Sequence, residues 1–593
     1  MMRTNSLFGN LTRGTILSSI LLLSASASSF ASYGQEAKPS GNDVAAQTAS
    51  LVFELQALAA RAKRLDKSLA RAAAEVEIAD AVWVHDRNWA KELLREAYEL
   101  TFPVEEERAK LRKTPVGAHP RWPNPANRTR ETVRRRILQV AVRDSKFADG
   151  LGQLDLDQLG PGEAQSTYAS LAHHALERDD QEAAGRYIRQ SEDADPTQIA
   201  AAFEINQLAA KNRAAADELI LDYIKRLRAF TFSRQNGSVP RTEFALFVLI
   251  RPESSPFMNG LSVAPPGPAV MRAYIAYMLD SVTQLAQADP GSLRASRILL
   301  LNNYPLLKQY APELTPQFLD LEQLSRKPGE SFSLPTAKSM EKKAREDYEK
   351  RMEKELASDQ PDEHMIRSAI SRGNFAKARK MIDKLPDRPL KTELAEYANA
   401  QEAISLANKG DILAAQGLAE KLAKATYILQ AYPVIAGKCV ATKDDLCARD
   451  SVSRAVKQLR KADTSPPIPP AGIPASVFAG SHEYDPILAS LAKLAISVAS
   501  IKDGLALDVL DELVVAANHS EVDTSQGLTG FESSLFKKLA DQDEARVTLA
   551  ALQLEDHLRQ IVALAAIDQW KSERLVARAK LRKTENESAA KKN

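Results

Sequence analysis

Two clusters in the chain combine histidines with carboxylates, the residue types that bind metals or move protons. His173-His174 precedes Asp179-Asp180, and imidazole and carboxylate groups are common ligands of transition metals. Adjacent histidines on a helix point about 100° apart, so the pair does not easily share one ion. We therefore predict no metal site there and interpret His174 as a partly buried helix residue. In the second cluster, His482-Glu483-Tyr484-Asp485 stands before Pro486 and is interpreted as a helix N-cap.

The chain lacks the motifs that bind nucleotides, dinucleotides or catalytic zinc. It contains no Gly-x-x-x-x-Gly-Lys-Ser/Thr, no Gly-x-Gly-x-x-Gly and no His-Glu-x-x-His. Gly260-Leu261-Ser262-Val263-Ala264 lacks the final glycine of a hydrolase elbow, so we interpret Ser262 as a loop residue. The sequence thus predicts no cofactor, and we assign no catalytic, cofactor-binding or metal-ligating residue.

One carboxylate lies in a context known from enzymes. Phe531-Glu532-Ser533 resembles the Glu-Ser pair of soluble lytic transglycosylases, envelope enzymes that combine a helical superhelix with a lysozyme-like domain. The Gly-Leu-Met-Gln element that should follow is absent, and residues 541–554 have the pattern of a helical hairpin instead. We expect Glu532 to be a solvent-facing helix residue without a catalytic role.

Basic residues concentrate between residues 108 and 143. This segment holds 11 basic side chains against Glu131, a local charge of +10, whereas the whole chain has a formal net charge of +2. Such a field could hold an acidic protein or another anionic component of the cell envelope. The alternative is a solvated face that pairs with acidic neighbours such as Glu105, Glu106 and Glu107. The candidate contacts for an anionic partner are Arg128, Arg130, Arg134, Arg135 and Arg136.

The N-terminus has the layout of a secretory signal. Arg3 and Arg13 precede the short apolar run 16–23, and small residues follow. We predict cleavage after Ala31, with cleavage after Ala27 as the second choice. The mature chain should carry no transmembrane segment and be exported, to the bacterial periplasm or beyond. Nucleic acid is not an expected partner, because the protein leaves the cytoplasm and the basic segment lacks interleaved aromatic residues.

Export bears on Cys439 and Cys447, the two cysteines of the chain. An oxidising compartment would allow them to form a disulfide. Eight residues along one helix rise about 12 Å, too far for a bridge, so the chain must turn between them. Lys443-Asp444-Asp445 is a suitable turn. Two buried free thiols are the alternative.

The composition predicts an all-α protein. The 593 residues are 44% hydrophobic and 26% charged, typical of globular chains. Aromatic residues make up only 6%, and alanine is frequent throughout, which disfavours an all-β architecture. The helix expected after Asn374 illustrates the pattern. Phe375, Ala378, Met381, Ile382 and Leu385 share one face, and Pro386 ends the helix.

A polar turn followed by small and apolar residues recurs along the chain. It reads Arg372-Gly373-Asn374-Phe375, then Lys409-Gly410-Asp411-Ile412, then Lys443-Asp444-Asp445-Leu446. The alanines three or four residues further on are spaced by 37 between Ala378 and Ala415 and by 33 between Ala415 and Ala448. Looser copies give 32 between Ala184 and Ala216 and 39 between Ala506 and Ala545. We expect the aspartate or asparagine of each turn to cap the following helix.

These turns resemble the tetratricopeptide (TPR) repeat, a helical hairpin of roughly 34 residues. Gly373-Asn374-Phe375 with Ala378, and Gly410-Asp411 with Ala415, match its turn and second helix. The tryptophan, leucine–glycine and tyrosine set of its first helix is absent. The resemblance covers about half of the mature chain and implies an irregular, TPR-like α-solenoid with Pro-rich linkers.

The predicted organisation follows from the breaks in this pattern. The segments are a signal peptide (1–31), N-terminal hairpins including the basic segment (32–230), an irregular Pro/Gly loop (231–269), a helical segment (270–325), a charged linker or exposed spacer helix (326–361), TPR-like repeats (362–462), a Pro-rich linker (463–486), C-terminal helical repeats (487–583) and a disordered tail (584–593).

Together these features predict an exported helical-repeat scaffold that binds another macromolecule, a protein partner first of all. Solenoids present extended surfaces suited to such partners. The alternative function is an envelope enzyme that acts on peptidoglycan or another polysaccharide from a helical scaffold.

Overall fold

A computed structural model describes residues 41–103, 125–194, 201–229, 246, 249–250, 263–288, 290–326, 337–386, 389–463, 465, 485–501, 504–520 and 531–590. The predicted signal peptide lies outside these residues, as do most of the Pro/Gly loop and the Pro-rich linker. Contacts divide the chain into two units, Met1–Ser50 and Leu51–Asn593. Of the first unit the structure describes the opening turns of one helix.

Helices account for nearly all of the described residues up to residue 326. In chain order they are α1 (Gly41–Ala62), α2 (Ser68–Val82), α3 (Arg87–Leu100), α4 (Pro125–Ala141), α5 (Ser145–Gln158), α6 (Pro161–Glu177), α7 (Gln181–Ala194), α8 (Ala202–Lys211), α9 (Arg213–Ala229), α10 (Pro268–Ala288), α11 (Pro290–Tyr310) and α12 (Thr315–Ser325).

The second half of the chain continues in the same way. Its helices are α13 (Ala337–Ala357), α14 (Glu363–Ser371), α15 (Phe375–Lys384), α16 (Pro389–Lys409), α17 (Ile412–Ala419), α18 (Ala425–Ala441), α19 (Asp445–Leu459), α20 (Pro486–Val498), α21 (Leu505–His519), α22 (Ser534–Ala540), α23 (Glu544–Leu552) and α24 (His557–Ala590).

The predicted all-α fold is confirmed. The described part of the chain holds no β-strand, only a single bridge between Lys424 and Asp463. Successive helices pack as hairpins, for example α6 with α7 and α18 with α19, and hairpins also pack on one another, as α16 does on α18 and α18 on α20. This is the irregular α-solenoid that the repeats predicted. None of the described helices is both long and apolar enough to cross a bilayer.

The recurring turns share one backbone geometry. The residue before each cap has a left-handed backbone, with φ of 75° at Gly373, 89° at Gly410 and 60° at Lys443. The next N–H reaches back to a carbonyl of the preceding helix, as from Asp411 to Leu406 at 3.0 Å, which is a Schellman closure. The predicted caps form at Asp411 and Asp444, whereas the Asn374 side chain makes no cap hydrogen bond.

Helix α15 has the buried face that its sequence predicted. Ala378, Met381 and Ile382 are buried and pack with residues of α14 and α16. The charged helix α13 differs from the prediction of an exposed spacer. Its Met352 is 1% exposed and joins the same core, while Arg372 lies 3.8 Å from the ring centre of Tyr348. A few apolar residues within a highly charged run are therefore enough to dock this helix.

Two other details differ from the sequence analysis. Ala378, Ala415 and Ala448 are fully buried, but Ala545 is exposed, and Val547 takes the buried position in that hairpin. Helix α24 also runs to Ala590, through residues expected to form a disordered tail. Alanine, glutamate and lysine are strong helix formers, which explains why the helix continues without a buried face.

Candidate functional site

A cavity of about 900 Å³ lies where helices from the two ends of the second unit meet. Helices α2, α4 and α6 form one side, and α20, α22 and α24 form the other. Its apolar lining comes from Phe531 and from small and medium side chains: Ala73, Val76, Val133, Ala489, Ala492, Ile496 and Ala566. Charged and amide groups complete the wall, so the cavity offers both hydrogen-bond donors and acceptors.

Direct packing of α24 on α2 brings the two ends of the second unit together. Helix α2 is rich in alanine, and Ala72, Ala74 and Ala79 are fully buried, which permits a close approach of the two backbones. Gln569 Nε2 on α24 donates to Asp80 Oδ2 on α2 at 2.8 Å. Ser572 Oγ lies 2.9 Å from Nε2 of His85, just beyond α2. His85 thus lies at this junction.

Ion pairs hold α4 against the same side of α2. Arg136 donates to Glu77 at 2.8 Å and to Asp80 at 2.6 Å, and Arg143 also pairs with Asp80. Burial alone would raise the pKa of Asp80, but Arg136 and Arg143 hold it below its ordinary value. Asp80 is therefore a carboxylate that fixes three helices: α2, α4 and α24.

Two exposed basic side chains on the cavity wall do not hold helices together through ion pairs. Lys493 on α20 and Arg178 at the end of α6 make no ion pair with the residues that the structure describes. By contrast, Lys537 on α22 binds Glu573 on α24 at 2.7 Å. Lys493 and Arg178 are thus free to meet an anionic group that enters the cavity.

The five predicted arginine contacts occupy different environments. Arg134 is buried, pairs with Asp155, and donates to the Tyr98 hydroxyl at 2.8 Å. Arg136 lies in the ion pairs already described, Arg130 is partly buried, and the side chain of Arg128 is outside the described residues. Arg135 is exposed. Arg134 and Arg136 are therefore anchors of the fold, and Arg135 is the exposed candidate among them.

Residues 104–124, which carry the rest of the basic segment and Glu105, Glu106 and Glu107, are not described.

Sequence reasoning missed the cavity because its walls lie far apart in the chain. A local signal was present in α2, where Glu75, Glu77 and Asp80 interrupt an alanine-rich helix that is otherwise buried. Buried carboxylates in such a helix require cationic partners. The basic segment supplies them through Arg136 and Arg143.

His173, His174 and Glu177 lie together near the end of α6, and His174 and Glu177 line the cavity. One carboxylate oxygen of Glu177 is 2.8 Å from His174 Nδ1, and the other is 3.6 Å from His173 Nε2. Burial lowers the pKa of His174, so its imidazole is neutral near pH 7. On the far side, Glu204 of α8 lies 3.6 Å from His173 Nδ1, and burial raises the pKa of Glu204 to about 7. Asp180 caps the next helix by accepting a hydrogen bond from the Ala183 N–H, at 3.0 Å.

Glu532 also lies on the cavity wall, immediately before α22 rather than within a helix. Its carboxylate is exposed and accepts a hydrogen bond from Ser534 Oγ at 2.6 Å. Among the other motifs, Asp485 caps α20, while Ser262 and residues 482–484 lie outside the described residues.

The two cysteines face each other across a helix corner. Cys439 is in α18 and Cys447 in α19, and the chain turns between them at Lys443 and Asp444. Their Cα atoms are 5.6 Å apart, and their sulfur atoms are placed at bonding distance. The corner thus has the geometry that the predicted disulfide requires.

No protein-family model matches the chain, and no curated protein matches it. Among solved structures it is similar to a circular tandem repeat protein with novel repeat topology and enhanced subunit contact surfaces. The sequence identity is 13%, the match covers 91% of this chain and 99% of the other, and the TM-score is 0.13. A TM-score this low carries no argument about fold, so the α-solenoid assignment rests on the helices themselves.

Proposed function

We propose that this protein is an exported helical-repeat scaffold that binds a segment of a partner protein in the cavity between its terminal helices. The cavity of about 900 Å³ is the observation that carries the proposal. Its volume falls near the top of the range of roughly 300–1,000 Å³ that is usual for ligand pockets. A helical array that leaves such a space between its ends offers a bounded site, rather than only an extended surface.

The chemistry of the wall favours a polypeptide. A peptide segment carries backbone donors and acceptors together with apolar side chains, and the cavity combines both kinds of contact. Lys493 and Arg178 would attract an acidic or C-terminal carboxylate on the partner. The exposed Arg135 on α4 lies outside the cavity lining and is a separate candidate contact for an anionic partner.

The predicted signal segment and the cysteine pair support export. The protein recovered from a cell-envelope or secreted fraction is expected to begin at Ser32, or at Ser28 if cleavage follows Ala27. N-terminal sequencing tests this proposal. A chain in that fraction that retains its first residues would contradict a cleaved signal.

Affinity capture from a cell-envelope extract tests the binding role. The baits are the purified protein, a double variant Arg178→Glu/Lys493→Glu, and a matched control Lys350→Glu/Arg351→Glu on the exposed face of α13. We expect one protein to be captured by the native and control baits and lost from the cavity variant. A partner retained by all three would place binding elsewhere, and an Arg135→Glu bait then tests the basic segment.

The position of Glu532 supports a second candidate, an envelope enzyme acting on peptidoglycan or another polysaccharide. An exposed carboxylate on a cavity wall can reach a bound sugar chain, and Ser534 orients it. Turnover of purified peptidoglycan that is lost in Glu532→Gln but kept in Glu555→Gln, an exposed carboxylate elsewhere, would favour this function. Inertness of the native protein on a panel of polysaccharides would reject it.

A further inference from the structure

We propose that His173, His174 and Glu177 form a zinc site on the wall of the cavity. The three residues offer two imidazole nitrogens and a carboxylate oxygen, all within 4.8 Å of one another. This inference does not depend on the proposed partner, because metal binding can be measured on the isolated protein.

The spacing along α6 explains how two diverging histidines share one site. Their rings are 5.4 Å apart and inclined at 73°, as expected for consecutive helix positions. Glu177 lies four residues after His173 and three after His174, so it stands one turn away on the faces of both. Its two oxygens approach the two rings from this position, at 3.6 Å and 2.8 Å. The sequence argument against a site compared the two histidines alone and did not include Glu177.

The burial of His174 provides an independent reason for a ligand here. The residue is 5% exposed, and its Nε2 is buried without a hydrogen-bond partner among the described residues. An unpaired buried polar atom costs about 1–3 kcal/mol. The Nε2 atom of His174 is therefore an unpaired nitrogen that a bound ion would satisfy.

Surrounding carboxylates suit a bound cation. Glu204 is 8% exposed and approaches His173 Nδ1 at 3.6 Å, on the opposite edge of the ring from Glu177. A carboxylate behind a histidine is the usual arrangement that orients a metal-binding imidazole. The charge of Arg135 on α4 acts on His174 and opposes a cation, whereas the charge of Glu177 favours one.

The donor set selects the metal. Two imidazoles and one carboxylate suit Zn²⁺, which accepts nitrogen and oxygen ligands in a tetrahedral arrangement. Ca²⁺ and Mg²⁺ require more oxygen ligands than the cluster supplies. Three protein ligands leave one position for water or for a group of a molecule bound in the cavity.

The test is metal binding to the purified, chelator-treated protein. Zn²⁺ is titrated by calorimetry, and Co²⁺ by its visible absorption, which reports nitrogen and oxygen ligands directly. We expect one ion per chain. Because each ligand is part of the first coordination sphere, His173→Ala, His174→Ala and Glu177→Gln should each weaken binding by more than about 10-fold, and Glu204→Gln by about 10-fold. The exposed His364→Ala, on α14, should bind like the native protein.

Folding of each variant is checked by thermal unfolding without metal. Since His174 is buried, we expect its variant to lose stability, and the decision then rests on His173 and Glu177, whose side chains are 31% and 47% exposed. Absence of stoichiometric binding by the native protein overturns the site. Binding that is unchanged in both His173→Ala and Glu177→Gln overturns it equally.

Discussion

Arg134 and Arg135 are neighbours in the sequence but have opposite roles in the structure. The Arg134 guanidinium lies in the core with Asp155, which is fully buried, and with the Tyr98 hydroxyl. Arg135 on the next position of α4 faces solvent. A run of arginines on a helix cannot all be surface contacts, because consecutive side chains point about 100° apart.

Replacement of these two arginines by methionine separates the roles. Arg134→Met leaves Asp155 as an unpaired buried charge and should lower the free energy of unfolding by about 3–5 kcal/mol. Arg135→Met should change it by less than about 0.5 kcal/mol. Urea denaturation measures both. Equal effects of the two substitutions would contradict the assigned environments.

Glu192 on α7 predicts a pH dependence of stability. The residue is 1% exposed, both carboxylate oxygens lack a hydrogen-bond partner among the described residues, and burial raises its pKa from 4.5 to about 8. The folded state therefore holds a proton that the unfolded state releases above pH 4.5. Stability from this group is fully present below pH 4.5 and is lost as pH rises to about 8, by up to about 1.4 kcal/mol per pH unit.

Glu192→Gln should remove this contribution, because a neutral amide has no proton to lose. We expect the variant to match the native protein near pH 5 and to exceed its stability near pH 8.5, in urea denaturation at both values. Glu182→Gln, an exposed residue of the same helix, is the control and should not change the profile. A native–variant difference that does not vary with pH would show that Glu192 is charged in the folded state.

The sequence predicted the helices better than it predicted which residues line the cavity. The face of α15 and the caps at Asp411 and Asp444 follow from patterns within a few residues. The contact of Asp80 with Gln569 joins positions 489 residues apart, and no local pattern encodes it. The sequence argument against a metal site at His174 considered only His173 and not Glu177, which lies one helical turn away.

At the scale of elements, the buried alanines determine how closely the helices of a hairpin approach. Ala415 in α17 is fully buried, whereas its neighbour Ala414 is exposed. Ala415→Leu should lower the free energy of unfolding by about 1–3 kcal/mol, because added methylene groups overpack the hairpin. Ala414→Leu adds the same atoms in solvent and should have little effect. Thermal or urea unfolding compares the pair, and equal behaviour would contradict the repeat alignment.

The corner between α18 and α19 predicts the state of the two cysteines. In the exported protein, thiol labelling after denaturation should find no free thiol until a reductant is added, and two afterwards. Closing a loop of this length should stabilise the fold by about 2–3 kcal/mol, which Cys439→Ser/Cys447→Ser would remove. Two labelled thiols in unreduced, exported protein would instead support the buried free thiols.

Among the elements, the helices with their own turn signals were predicted best. Helix α13 was expected to be an exposed spacer because charged residues dominate its sequence, yet Met352 anchors it to the next hairpin. The end of α24 was expected to be disordered, yet it is helical to Ala590. In α13 the charged residues describe the solvent side of the helix and hide the contact that Met352 makes. At the end of α24 the prediction of disorder overlooked the helix propensity of alanine, glutamate and lysine.

At the scale of the whole second unit, the account depends on the packing of α24 against α2. This contact joins the two ends of the unit and forms the cavity from six helices. The walls then combine groups that are committed to the fold, such as Asp80 and Arg136, with groups that remain available, such as Lys493 and Arg178. Our central claim is that a protein partner occupies this space.

Site-specific photo-crosslinking in the producing cell tests that claim most directly. A photo-reactive phenylalanine replaces Ser534 on the cavity wall, and in a matched variant it replaces Ser371, an exposed serine at the end of α14. We predict a discrete, heavier adduct with one protein from position 534 and none from position 371. No adduct at position 534, or the same adducts from both positions, would contradict a partner in the cavity.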